Sequence, residues 1–181
     1  MKGTIKQSQN NFDRNIRLDL LSTNNEFRPV FENILFEDGN AVVTNGYFLI
    51  IAPIKEISSL HYETISKIEG KCIHKSHFKE LLKCDYITDV TDKHIIELNN
   101  GIELHIPFAN NPEQFPEYKY LFPIKETEFS EHQIKVNIKY LALICKVFQQ
   151  YFPTLIFHGD RSPIELRFAN RITRGLIMPV I

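Results

Sequence analysis

The sequence is short of several features that would assign it to a functional class directly. Its 181 residues include no tryptophan, seven glycines and three cysteines, and 21 Lys and Arg residues against 22 Asp and Glu residues give a formal net charge of −1. This charge gives no global reason to expect nucleic-acid binding, which would need a locally basic face on an otherwise acidic body. The odd cysteine count shows no disulfide or zinc spacing and indicates a reducing compartment.

Targeting and membrane segments are also missing. Residues 1–11 contain no apolar core of a signal peptide. No apolar run approaches the roughly 20 residues needed to cross a membrane. We therefore expect a soluble, cytoplasmic protein with no membrane partner.

The local motifs of common catalytic and metal centres are absent. The sequence contains no nucleophile elbow, no phosphate-binding glycine loop and no HExxH motif. Cys72, His74, His77 and Cys84 are close in sequence but lack paired zinc-ligand spacing, so we interpret them as structural residues. The sequence predicts no enzymatic activity, no cofactor and no metal site.

One order of elements occurs twice in the chain. Residues 71–75 are typical of a strand, and Ser76 is a good N-cap for a helix that buries Phe78, Leu81 and Leu82. Three strands then end at residue 108. Residues 133–136, a helix opened by Asn137 and three strands ending near residue 181 repeat this order. We predict a duplicated β-α-β-β-β unit.

The part of the chain before the first copy contains a hairpin. Residues 1–15 are polar and are expected to be weakly held, and residues 16–21 fit either a strand or a short helix. The Asp38-Gly39-Asn40 turn joins strands at 33–37 and 41–44, and the apolar run 47–52 indicates a further, buried strand. The whole pattern predicts an α+β protein with antiparallel sheets and two helices side by side on one face.

Three stretches resemble the bacterial DNA polymerase sliding clamp, the beta subunit. Residues 28–39 and 43–49 are similar to the clamp's middle-domain hairpin and its Thr-Asp-Gly-His-Arg-Leu segment, with Asn45, Tyr47 and Phe48 in place of the Asp, His and Arg. Residues 115–123 are similar to its Phe-Pro-Asp-Tyr…Pro segment. Residues 175–180 are similar to its C-terminal Val-Met-Pro-Met. The resemblance covers about residues 27–181.

The resemblance implies a shortened, divergent DNA-clamp fold. Residues 1–26 would be a polar lead-in and residues 27–56 a clamp-like unit truncated at its N-terminus. Residues 57–124 and 125–181 would be two complete β-α-β-β-β units, and residues 27–181 would form one compact domain. The implied function is that of a non-enzymatic processivity factor in DNA replication, forming a ring of several copies.

A DNA-contacting surface follows from the same resemblance. In clamps the helices line the ring's inner wall, where basic side chains meet phosphates without reading bases. The matching residues here are Lys75, Lys79, Lys83, Lys139 and Lys146. The alternative is that these lysines simply keep two helix faces in water.

The resemblance also implies an apolar cleft for peptide motifs of polymerases and repair proteins, in which an extended segment would bind beside a methionine. Its residues would be Thr44, Gly46, Tyr47, Phe48, Leu49, Pro116, Tyr120, Leu121, Leu176, Ile177, Met178, Pro179 and Val180. The alternative is that most of these are ordinary core residues, Leu49 and Ile177 in particular. A second hypothesis for function is therefore a monomeric interaction module that binds a peptide in this cleft.

Overall fold

The computed structural model describes residues 9–24, 26–110, 115–122, 134–159 and 162–180. Its strands are β1 Asn33–Glu37, β2 Asn40–Thr44, β3 Phe48–Pro53, β4 Cys72–His74, β5 Tyr86–Val90, β6 His94–Asn99, β7 Ile102–Pro107, β8 Thr154–Ile156, β9 Ile164–Arg167 and β10 Arg174–Ile177. Its α-helices are α1 Ile54–Ile57, α2 Tyr62–Ile68, α3 Lys75–Leu81 and α4 Ile138–Phe148. Short 3-10 helices lie at Leu18–Leu20, Pro29–Glu32 and Lys119–Leu121.

The strands form two antiparallel sheets, so the predicted α+β class is confirmed. The larger sheet has the order β4-β1-β2-β3-β10-β9-β8, and the smaller has the order β5-β6-β7. In the larger sheet β3 pairs with β10, with Phe48 opposite Ile177 and Leu49 opposite Leu176. This pairing joins the N-terminal hairpin to the C-terminal strands in one continuous sheet.

The first predicted repeat forms as expected, whereas the second lacks its opening strand. Residues 134–137 precede α4 without pairing as a strand, and the Lys135 carbonyl accepts a single hydrogen bond from the Val180 N–H at 2.8 Å. The prediction of a strand at 133–136 is therefore wrong over its described residues. Gln133 lies outside them.

The N-terminal segment is part of the core, contrary to the expectation of a weakly held lead-in. The Phe12 ring stacks on Phe36 at 5.9 Å and meets Phe78 edge-on at 5.1 Å. The Asn10 side chain donates to the Ile87 carbonyl at 2.7 Å and accepts from the His61 N–H at 2.8 Å. A few large apolar residues thus anchor a segment whose average composition is polar, and residues 1–8 lie outside the described part.

The helices α3 and α4 pack on the same face of the larger sheet, as predicted. Phe78 and Leu81 of α3 and Ile144, Val147 and Phe148 of α4 join one core. Both helices also contact the 3-10 helix Leu18–Leu20. This short helix resolves the ambiguity of residues 16–21 in favour of a helix.

The helix ends differ slightly from the sequence prediction. The α3 helix begins two residues earlier than predicted, because the N-cap is His74, whose side chain accepts from the Ser76 N–H. The Asn137 side chain accepts from the Lys139 N–H at 3.0 Å and opens α4 as predicted. Helices α1 and α2 lie between β3 and β4, where the sequence pattern predicts no helix or strand. No helix in the described parts of the chain is long and apolar enough to span a membrane.

Candidate functional site

Two exposed lysines lie on α3 and in the turn directly after it. Lys79 is exposed and forms no ion pair with any described residue. Lys83 pairs with Glu80 one turn before it at 2.9 Å, and both side chains are at least half exposed. An exposed pair of this kind contributes little to stability and exchanges readily for another partner. Both ammonium groups are therefore available to an external anion.

Lys75 differs from the other predicted lysines. Its side chain is only 19% exposed, its ammonium lies 3.4 Å from the Glu32 carboxylate, and it donates a hydrogen bond to the Asn24 side chain. The Glu32 carboxylate is also 3.2 Å from the His74 ring. Lys75 thus holds the start of α3 against neighbouring loops, and its charge is largely neutralised.

The α4 helix adds two more exposed lysines. Lys139 and Lys146 are seven residues apart, about two helical turns, so they lie on one side of the helix. Neither forms an ion pair with a described residue. Because α3 and α4 pack on the same face of the larger sheet, Lys79, Lys139 and Lys146 of these helices belong to the layer that covers this face, and Lys83 follows directly after α3.

Arg17 is a further cation beside the two helices, and the sequence analysis did not select it. Arg17 precedes the 3-10 helix that contacts α3 and α4, and it forms a bidentate pair with Asp19 at 2.7 and 2.6 Å. Hydrogen bonding to Asp19 raises the pKa of the Arg17 guanidinium. Its charge is balanced locally, so it contributes less to a basic surface than the free lysines do.

The turn between β2 and β3 is rigid and presents Tyr47 to solvent. The Asn45 side chain accepts from the N–H groups of Tyr47 and Phe48 at 2.9 and 3.1 Å. The Thr44 hydroxyl donates to the Phe48 carbonyl at 2.6 Å and accepts from the Gly46 N–H at 3.1 Å. The result is that 62% of Tyr47 is exposed.

An aromatic wall forms beside this turn. The Tyr47 ring stacks on Tyr140 of α4 at 5.8 Å, and Phe48 meets Tyr140 edge-on at 5.5 Å. The Met178 N–H donates to the Tyr47 carbonyl at 2.9 Å, so the partly exposed Met178 is held next to the turn. The resemblance did not place Tyr140 in the cleft, and the structure adds it.

The remaining predicted cleft residues divide between two faces of the sheet. Phe48 and Ile177 belong to the core beneath α4, whereas Leu49 and Leu176 belong to a separate cluster with Tyr118. Successive side chains of a strand point to opposite faces, so these pairs cannot line one pocket. Leu49, Leu176 and Ile177 are also at most 4% exposed and serve as core residues.

The segment containing Pro116, Tyr120 and Leu121 is anchored away from the Tyr47 turn. The Tyr118 hydroxyl donates to Glu37 at 2.6 Å, and Lys119 pairs with Asp38 at 2.7 Å, both at the β1–β2 turn. The Tyr47 turn lies at the other end of β2, where β2 ends and β3 begins. The structure therefore brings Thr44, Gly46, Tyr47, Phe48 and Met178 together with the neighbouring Pro179 and Val180 at this turn. Leu121 of the separately anchored segment packs instead against the cluster that contains Leu49 and Leu176, on the other face of the sheet.

A buried carboxylate, Glu165 of β9, is held by cations. Arg174 and Arg167 lie 2.9 and 3.1 Å from its Oε1, and His158 lies 3.4 Å from its Oε2. Burial alone would raise the pKa of Glu165, but the hydrogen bonds from Arg167 and Arg174 hold it below its usual value. The Arg174 guanidinium also lies 4.3 Å from the Phe122 ring centre. This arrangement ties β9 and β10 together.

The cysteine and histidine residues near α3 do not form a metal site. Cys72 and Cys84 are buried thiols, and burial raises their pKa values to about 11 and about 12. His74 is committed to Glu32 and Ser76. Across the described ranges of the chain, no three His, Cys, Asp or Glu residues are placed to hold a metal ion.

Comparison with solved structures identifies the fold. The DNA polymerase III subunit beta from Pseudomonas aeruginosa superposes with a TM-score of 0.68 at 11% identity, over 98% of this chain and 69% of that one. Caulobacter crescentus pol III beta gives a TM-score of 0.66 at 13% identity, over 100% of this chain and 68% of that one.

A DnaN sliding clamp from Bartonella birtlesii bound to griselimycin gives a TM-score of 0.62 at 14% identity, over 92% of this chain and 63% of that one. The chain has the sliding-clamp fold. No protein-family model matches the sequence, and no match was found among curated proteins.

The clamp fold explains why distant segments meet in this structure. The resemblance placed residues from 44–49 and 176–180 in one cleft, and the β3–β10 pairing puts these segments side by side. The match covers more than residues 27–181, because it includes nearly the whole chain. The chain nevertheless spans only about two thirds of the sliding clamps that it matches.

Proposed function

We propose that this chain is a cytoplasmic, non-enzymatic clamp-like protein that contacts the DNA backbone through lysines of α3 and α4. One observation carries the proposal. In a sliding-clamp fold, two helices that pack on the same face of the larger sheet carry exposed lysines: Lys79 of α3, Lys83 in the turn after it, and Lys139 and Lys146 of α4. Of these four, only Lys83 has a described ion-pair partner, the exposed Glu80.

The chemistry of these side chains suits phosphates. A lysine ammonium is a compact, mobile point charge that binds phosphate oxygens without selecting a base. The net charge of −1 means that attraction to DNA would come from this local surface and not from the whole molecule. The proposal therefore predicts association that is independent of sequence and weakens steeply with salt.

The experiment is a charge reversal on the helices. We expect that Lys79→Glu, Lys83→Glu, Lys139→Glu and Lys146→Glu, introduced together, abolish association with duplex DNA at low salt. The matched control reverses Lys55, Lys67, Lys93 and Lys119, which are exposed and lie outside both helices. It changes the net charge equally and should retain more association. Equal loss in both variants would contradict a localised DNA surface.

Ring formation is the second part of the proposal. Because the chain spans about two thirds of the clamps that it matches, enclosing DNA would require several copies. Sedimentation equilibrium over a wide concentration range tests this point. One closed oligomer is the expected result, and a persistent monomer would contradict encirclement by this protein alone.

A second candidate function is peptide binding at the aromatic wall. The exposed Tyr47 ring stacked on Tyr140, with Met178 beside it, offers an apolar surface to an extended segment. We expect Met178→Glu to abolish binding of polymerase-type and repair-type peptide motifs. Tyr62→Ala alters an exposed aromatic of α2, outside the predicted cleft, and should leave binding intact. Unchanged binding by Met178→Glu would refute this function.

A further inference from the structure

The described residues form three meanders of three strands, and the last strand of one meander has an edge that pairs with no described strand. The meanders are β1-β2-β3, β5-β6-β7 and β8-β9-β10. The last strands of the first and third meanders, β3 and β10, pair antiparallel with each other. The outer edge of β7, the last strand of the second meander, pairs with no strand in the described ranges.

This free edge carries apolar side chains that are exposed to solvent. Ile102 is 63% exposed and Leu104 is 41% exposed, although both share a sheet face with the buried Ile106. The side chains of Glu103 and His105, on the other face, are 60% and 54% exposed. An exposed apolar edge is a template for pairing with another strand, and proteins usually cover or interrupt it.

The hydrogen-bond pattern shows which backbone groups of β7 point outward. On β6, the carbonyls of His94 and Leu98 accept from Thr91 and Asp85 on the β5 side. Because successive strand residues point their N–H and C=O groups to alternate sides, those of Ile95, Glu97 and Asn99 point towards β7. Their β7 partners therefore point inward, and the register identifies these as Ile102, Leu104 and Ile106. The outward N–H and C=O groups belong to Glu103 and His105.

We propose that β7 pairs antiparallel with β7 of a second copy of this chain, in a two-fold register centred on Leu104. This register places Glu103 of each copy opposite His105 of the other. The outward backbone N–H and C=O groups of these two residues then hydrogen-bond to each other across the interface. It places Leu104 against Leu104 and Ile102 against Ile106. Because Ile106 belongs to the main core, the pairing extends that core across the two-fold axis.

Other registers fit less well. A shift by one residue sets outward groups against inward ones and breaks the ladder. A shift by two residues in one direction brings Glu103 against Glu103, and in the other direction it places Pro107, which has no N–H, opposite Glu103. Within one chain Glu103 and His105 already form an exposed contact at 3.0 Å, which can be exchanged for the intermolecular one at little cost.

The proposed interface goes beyond the DNA contact, and none of the four exposed helix lysines takes part in it. A single self-complementary interface gives a dimer, and a closed ring would need a further one. The lysine reversals above should therefore leave the β7 dimer intact. This separates a failure of the interface from a failure of the DNA proposal.

The first test measures dimer dissociation of the full chain by sedimentation equilibrium. His105→Glu sets acidic side chains against each other and is expected to weaken the dimer by about tenfold or more. Adding Glu103→Lys to that variant restores opposite charges and should return the dissociation constant to within about threefold of the wild type. Thermal unfolding of each variant checks that the monomer is folded. A monomeric wild type, or no effect of His105→Glu, would overturn the proposal.

The second test fixes the register by cross-linking. Across an antiparallel non-hydrogen-bonded pair the Cα atoms are about 4.5 Å apart, which permits a disulfide. In a Cys145→Ser background, Leu104→Cys should form a covalent dimer under mild oxidation, because position 104 faces itself. Ile102→Cys is the matched control: it is more exposed than position 104 but faces position 106, and it should form no covalent dimer. Equal cross-linking of both, or of neither, would contradict this register.

Discussion

Glu97 shows, at the scale of one residue, how burial in the smaller sheet affects a carboxyl group. It is 1% exposed on β6, and its Oε2 has no hydrogen-bond partner among the described residues. Burial raises the pKa of the Glu97 carboxyl, and a hydrogen bond from the Cys84 thiol only partly opposes this. The folded protein therefore favours the protonated form of Glu97 more than the unfolded chain does.

The consequence is that the stability contributed by Glu97 falls as pH rises. A carboxyl whose pKa is raised by folding contributes stability below its unfolded pKa of about 4.3, and this contribution is lost as pH rises through the folded pKa. We predict that Glu97→Gln raises the melting temperature by a few degrees at pH 8 and by less at pH 5. Glu63→Gln, at an exposed carboxylate, is the control. A Glu97→Gln variant destabilised equally at both pH values would contradict this explanation.

At the scale of elements, the turn between β2 and β3 depends on Gly46. Its φ of +87° is unfavourable for other residues, and an added Cβ would lie 3.2 Å from the Phe31 ring. Gly70 has a similar φ of +72° but no atom within 4 Å of an added Cβ. We predict that Gly46→Ala lowers the free energy of unfolding by more than Gly70→Ala, which costs about 1 kcal/mol. Denaturant unfolding measures both, and equal losses would show that Phe31 contributes nothing.

The elements also show what a single sequence can predict. Hairpin turns and the apolar stripe of α3 have local patterns, so β1, β2, α3 and the strands after it were predicted. Helices α1 and α2 are too short for a helical period to be evident. Residues 134–136 have the composition of a strand but pair with no neighbouring strand, and strand pairing is a tertiary property.

The candidate sites divide in the same way. The exposed lysines of α3 and α4 follow from helical spacing, but the Glu32 partner that neutralises Lys75 is distant in sequence. The β3–β10 pairing was accessible only through the family resemblance. Strand alternation alone, however, already separates Phe48 from Leu49, so the division of the predicted cleft between two sheet faces could have been derived from the sequence.

At the scale of the whole molecule, the chain keeps the sliding-clamp fold within about two thirds of a clamp's length. Two features would take part in the proposed assembly. One is the lysine-bearing layer formed by α3 and α4, and the other is the open edge of β7. Because the net charge is −1, any attraction to DNA must come from the first of these.

The most direct measurement is the salt dependence of binding to duplex DNA, comparing the wild type with Lys79→Gln, Lys139→Gln and the double variant. Each lysine that contacts a phosphate contributes about 0.9 to the slope of log affinity against log salt. We predict that each single variant lowers the slope by about one and that the double variant lowers it by about two. No binding by the wild type at low salt, or an unchanged slope in all three variants, would contradict DNA contact through these helices.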